Sequence, residues 1–132
     1  MPRAKITFNA VREIGLGLAD VEESTMYGSP ALKVRGDLLA CMAINKSAEP
    51  GSLGVRIDFD QRDALLAEAP DTYYVTDHYV NYPIVLVRLS RIRMDELRDL
   101  LASAWRFVTS QKKRTKSRPP GKAKTGRMKL RN

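Results

Sequence analysis

The only histidine of this 132-residue chain, His78, lies in the run Thr76-Asp77-His78-Tyr79-Val80-Asn81-Tyr82-Pro83, which also holds two of the five tyrosines. These residue types suit binding. Phenol rings stack on bases and other planar ligands, and an imidazole offers one donor and one acceptor. They are less suited to catalysis, because general acid–base work by His78 needs a second positioned group and the sequence identifies none. A structural alternative has Tyr79 and Tyr82 covering a sheet edge while His78 caps a backbone group.

Other sites for chemistry are sparse. Asp58 and Asp60 could form a carboxylate pair, but one ends an apparent strand and the other begins a helix, so structural roles are expected. Gly15-Leu16-Gly17 lies within a helical pattern and not after a strand, which excludes a dinucleotide fingerprint, and there is no Walker-type loop or nucleophile elbow. Cys41 is the single cysteine and sits in the apolar run 38–44, where a small buried hydrophobe is expected. No Cys/His grouping has metal-ligand spacing, so neither metal nor cofactor is expected. The expectation is a non-enzymatic binding protein.

The charge pattern names a partner class. Residues 110–132 carry ten of the 23 Lys and Arg and no acid; the other 13 share residues 1–109 with all 15 carboxylates, a formal net charge of −2. Lys112, Lys113, Arg114, Lys116 and Arg118 form one basic cluster, and Lys122, Lys124, Arg127, Lys129 and Arg131 a second. Such a segment attracts phosphates and releases counterions, giving salt-sensitive attachment that is largely blind to sequence. It has no aromatic residue with which to read bases. DNA is the expected partner and RNA the second candidate, against a merely solubilising tail. A membrane surface is not expected, since no apolar face accompanies the charge. Within the body, Lys33 and Arg35 flank an apparent hairpin turn, and Arg88, Arg91 and Arg93 end the last strand. They could extend the phosphate contact or simply keep an exposed face solvated.

The elements that must position these residues follow from periodicity. Phe8, Val11, Ile14 and Leu18 keep helical spacing, which predicts a helix over 7–19 with Thr7 as a candidate N-cap, ended by Glu22-Glu23-Ser24. Strands are predicted over 31–34 and 38–44, joined by Arg35-Gly36-Asp37, and over 53–57, where Leu53, Val55 and Ile57 alternate with polar or small residues. A short helix is predicted from Asp60 to Ala69, with Leu65 and Leu66 toward the core. Strands over 73–76 and 84–89 flank the His78 run. The strongest helix runs from Met94 to about Thr109, with Leu97, Leu100, Leu101, Ala104, Trp105 and Val108 on one face and scope to continue into the basic segment. Disorder is expected from about Ser117.

The order α-β-β-β-α-β-β-α predicts an α+β fold, a single mainly antiparallel sheet with helices packed on one face. The length fits one domain, residues 1–110, followed by a basic tail over 111–132. No apolar run approaches the roughly 20 residues that span a bilayer. A cytoplasmic monomer is expected.

Three groups of residues resemble the MmcQ/YjbR-like family in the same order. They are Glu22-Glu23 with Gly28-Ser29-Pro30-Ala31-Leu32-Lys33-Val34; Tyr73-Tyr74-Val75-Thr76-Asp77-His78-Tyr79 with Tyr82-Pro83 and the run 85–89; and Asp95-Glu96-Leu97 with Leu100-Leu101 and Ala104-Trp105. The resemblance covers roughly residues 7–110. It implies a small CyaY-like, double-wing α+β fold with a DNA-binding label that rests on fold analogy, and it implies no catalytic residue or cofactor. The chain departs from the family pattern at Asp77, Val80 and Ile84, where Pro, Gly and Trp are usual. The basic tail lies beyond the matched region.

Overall fold

Thr7 starts the first helix, its hydroxyl accepting the Asn9 amide at 3.3 Å, and α1 runs Phe8–Leu16. In this computed structural model, which describes residues 6–43 and 45–117 with side chains as far as Ser110, eight further elements follow. They are β1 (Val21–Met26), β2 (Ser29–Val34), β3 (Asp37–Met42), β4 (Ser52–Arg56), α2 (Phe59–Glu68), β5 (Tyr73–Tyr74), β6 (Ile84–Arg88) and α3 (Met94–Ser117).

The six strands form one antiparallel sheet in the order β1-β2-β3-β4-β6-β5. Two hairpins are closed by two-residue turns with positive φ at both positions, Tyr27-Gly28 (53° and 82°) and Arg35-Gly36 (53° and 86°). This is the primed geometry whose twist matches that of paired strands. A β-bulge interrupts the β2–β3 register between Leu32 and Lys33, so that Leu32 opposes Ala40 while Lys33 opposes Leu38 and Leu39 is the extra residue. The bulge lets Leu39 join the core while Leu38 and Cys41 line the opposite face.

The core lies between that sheet and the helices. Leu32, Leu53, Val55, Val85 and Val87 meet Val11 of α1 and Leu97, Leu101, Ala104 and Val108 of α3. Leu65 and Leu66 of α2 are half-buried and pack against the same cluster, as their spacing predicted. Trp105 Nε1 donates to the Ala19 carbonyl at 2.8 Å and ties α3 to the segment after α1. The N-terminus of α3 is held by the Glu96 carboxylate, which accepts the Arg93 amide at 2.9 Å. Ala31 and Leu86 are also buried but stand outside this cluster, on the far face of the sheet.

The α+β class and the helices on one face agree with the sequence reading, and the order gains a strand. Glu22-Glu23-Ser24 does not end a helix; it lies within β1, and α1 stops at Leu16. As the sheet edge, β1 is half-buried only at Val21, Ser24 and Met26, which leaves little apolar alternation to read. The cap of α2 is Asp58, which accepts the Gln61 amide at 2.8 Å, with Asp60 in the first turn. The helix read to about Thr109 continues to Ser117 and crosses the boundary expected at 110. The expected disorder beyond it, together with Arg118, Lys122, Lys124, Arg127, Lys129 and Arg131, lies outside the described residues. Among the described residues no helix is long and apolar enough to cross a membrane.

Gly15 lets α1 lie close against the sheet, since a Cβ there would overlap Leu32 Cδ1 and Leu32 is fully buried. Gly15→Ala is therefore expected to lose about 1–2 kcal/mol despite alanine's better helix propensity. A lowered urea midpoint at unchanged slope would register it, and an unchanged midpoint would contradict the tight contact.

Candidate binding groove on the open sheet face

The sheet face away from the helices carries a groove of about 840 Å³. Leu38, Cys41 and Ile84 line its apolar strands, the end of β1 adds Met26 and the β1–β2 turn adds Tyr27. The loops before β4 and β6 supply the polar groups and the remaining rings, namely Asn45, Lys46, His78, Tyr79 and Tyr82. The volume lies within the range of small-ligand pockets, and the lining has their character of apolar surface with a few polar groups.

Short contacts hold the two loops together. Ser47 Oγ and Thr76 Oγ1 lie 2.8 Å apart, and the Tyr79 hydroxyl meets the backbone of Asn45. Tyr79 also packs edge-on against His78, with ring centroids 4.7 Å apart. From the other side Arg62, the one buried residue of α2, donates from Nη1 to the Tyr82 carbonyl at 2.9 Å and the Ile84 carbonyl at 3.3 Å. Its guanidinium stacks over Phe59. Arg62 thus fixes where the loop rejoins the sheet. Nothing in the sequence distinguished it from a solvent-facing helix arginine.

The structure brings His78, Tyr79 and Tyr82 to one groove and adds Tyr27 and Lys46, which sequence reasoning did not select. The available signal was Tyr27 directly before Gly28, a turn position where an aromatic is unusual. His78 is exposed, and Tyr82 is 57% exposed.

Lys33, Arg35, Arg88, Arg91 and Arg93 do not line this groove. Lys33 is half-buried on β2 opposite Glu22 and Leu38. Arg35 pairs with Asp20 at 2.9 Å, and Arg93 pairs with Asp95 at 2.7 Å. Arg91 is exposed. Arg88 grips both carboxylate oxygens of Glu49 at 3.0 and 2.7 Å and donates to the carbonyls of Pro70 and Asp71 at 3.1 Å. It also lies 4.3 Å over the ring of Tyr74, whose hydroxyl accepts the Glu49 amide and meets Ser52 Oγ. Arg88 therefore joins three segments of the fold. Lys112, Lys113, Arg114 and Lys116 occupy helical positions in the last two turns of α3.

The hydrogen bond from Arg88 holds the Glu49 carboxyl below its ordinary value of 4.5. A lowered folded-state pKa contributes stability that is present above the unfolded value and is lost as pH falls through the folded one. Thermal unfolding followed into acid should show the stability gap between wild type and Arg88→Met narrowing below about pH 4.5. A gap independent of pH would count against the coupling.

Two smaller clefts have a different charge. One, of about 320 Å³, contains Glu49 beside Arg88. The other, of about 330 Å³ between α2 and α3, contains Glu68, Glu96 and Asp99. Burial and these three carboxylates push the Tyr73 phenol up to about 12. Cys41, expected to be buried, is half-buried at the open-face groove, and burial raises its thiol pKa. Among the described residues no group of three His, Cys, Asp or Glu is placed to hold a metal ion.

A family model described as YjbR matches residues 16–107. Uncharacterised proteins of Mycobacterium bovis and Mycobacterium tuberculosis are 42% identical to the chain over 62 residues, which is 44% of this chain and 48% of each relative. The chain thus aligns with about half the length of these curated relatives. The crystal structure of Deinococcus radiodurans protein DR2400, a DUF419 domain, superposes with a TM-score of 0.68 at 18% identity and covers 85% of both chains. That likeness shows the fold, a double-wing type of α+β sheet.

Proposed function

The chain belongs to the YjbR family, and from that premise we propose that it is a non-enzymatic nucleic-acid-binding protein attached to phosphates through its C-terminal basic segment. The observation that carries this reading is the separation of charge. In the body, Arg12, Arg35, Arg88 and Arg93 are paired with Glu23, Asp20, Glu49 and Asp95. Residues 110–132 hold ten Lys and Arg and no Asp or Glu. A segment with this excess of positive charge suits the replacement of a nucleic acid's counterions. DNA is the partner proposed, on the family label, with RNA as the comparison. The test is a salt titration of DNA and RNA binding by the full chain and by a chain ended at Thr109. Equal affinities for the two chains would overturn the reading.

A second reading, favoured by the apolar floor of the groove, is a small-ligand or protein-binding module in which the basic segment is incidental. It expects the chain ended at Thr109 to keep full activity.

A further inference from the structure

The three clefts differ in what they would admit. In one, Glu49 is paired with Arg88, and Glu68, Glu96 and Asp99 make another acidic. The open-face groove has Lys46 and His78 in its lining and no carboxylate, although the body holds all 15 of the chain's acids. Asp77, next to His78, is exposed and does not line it. Of the three, this groove suits a ligand with planar apolar faces and negative charge at its edge.

Its rim carries an aromatic in a conformation that is costly to adopt. Tyr27 has φ of 53°, in the left-handed region where a bulky side chain is an outlier and Asn or Gly is at ease. The ring is 86% exposed, so burial returns almost nothing against that cost. The second primed turn uses the same backbone with Arg35 in the equivalent place, so the turn itself does not demand a ring. Strain of this kind is retained where it positions a group. Tyr82, from a different loop, also leaves more than half its surface to solvent at the same groove.

We propose that the groove takes unstacked bases of single-stranded nucleic acid, with Tyr27 and Tyr82 stacking on base faces and Lys46 meeting a backbone phosphate. This rests on the nucleic-acid reading above and adds strand preference to it. The basic segment attaches to any phosphate chain, and the groove selects strands whose bases are free. A purely electrostatic binder would not distinguish a strand from the same backbone without bases.

The test uses the full chain with a short mixed-sequence DNA strand, its abasic counterpart and its duplex, at about 0.2 M salt where phosphate attachment is weakened. Wild type is expected to bind the strand about ten-fold or more tighter than the abasic strand. The double variant Tyr27→Asn/Tyr82→Ala is expected to bind both alike. Asn relieves the turn, so the variant should stay folded, which thermal unfolding checks. Cys41, the chain's single thiol, lines the groove and reports occupancy. Its alkylation should be slowed by the strand and not by the abasic strand or the duplex. Equal binding of strand and abasic strand, unchanged binding by the double variant, or unprotected Cys41 under a bound strand would overturn the base site while leaving the basic attachment standing. Absence of binding to all three nucleic acids would overturn the nucleic-acid reading itself.

Discussion

A chain ended at Thr109 is expected to show no measurable affinity for duplex DNA, while the affinity of the full chain falls by about 10³ or more between about 50 and 200 mM salt. The magnitude follows from counterion release. If about six of the ten basic residues between Lys112 and Arg131 meet phosphates, the logarithm of the affinity should fall against that of salt concentration with a slope near −5. The remaining body has a formal net charge of −2, and four of its arginines are paired with its own carboxylates. It has little with which to compensate. Removing the segment should spare the fold, because among the described residues the core cluster ends at Val108. Fluorescence anisotropy at several salt concentrations gives both slopes, and circular dichroism verifies folding. A shallow slope for the full chain would sink the attachment mechanism even if DNA were bound.

The largest expected effect on stability is at Leu101. This side chain is fully buried on α3, the helix that covers β2, β3 and β4. Leu101→Ala removes buried apolar surface and leaves a cavity that the packed sheet behind it can close only in part, a loss of about 3 kcal/mol within a usual range of about 2–5. For a domain of this size whose total stability is about 5–15 kcal/mol, that lowers the melting temperature by roughly 10–20 °C. Urea unfolding should show the lower midpoint with an unchanged slope. A loss below about 1 kcal/mol would mean that α3 is not packed at Leu101 as described. The two predictions separate cleanly, since Leu101→Ala should leave DNA affinity intact at temperatures where the variant is folded.

Much of the fold could be read from the sequence because burial on one side leaves a period. The α3 face from Leu97 to Val108 and the alternation of Leu53, Val55 and Ile57 both point into the core, where the structure places them. The β1 strand escaped because it is an edge with solvent on most of its surface, and Glu22 and Glu23 in succession look like a loop. The apolar runs at 38–41 and 84–87 marked strands but not which side chains face the helices, and Leu86 is fully buried outside the helix-side cluster. The site was legible only in its local part. His78, Tyr79 and Tyr82 are neighbours in sequence, but Tyr27 and Lys46 reach them only through strand pairing, which no short motif records. Arg88 looked like a solvated strand charge because its partners Glu49, Pro70 and Asp71 are at least 17 residues away.

The placement of the core on one side of the sheet bears on how such a chain can change over time. Stability resides between the helices and β2, β3, β4 and β6, whereas Tyr27, Lys46 and Tyr82 stand on the other side with little burial to lose. Substitutions at these positions fall in the class that typically shifts stability by no more than about 0.5 kcal/mol. Drift on the open face therefore meets weak selection for folding, and under the proposed base site it would be limited by binding instead. A scaffold so arranged can keep its fold while the open face is rewritten, which separates the inheritance of the fold from that of any preference the face confers.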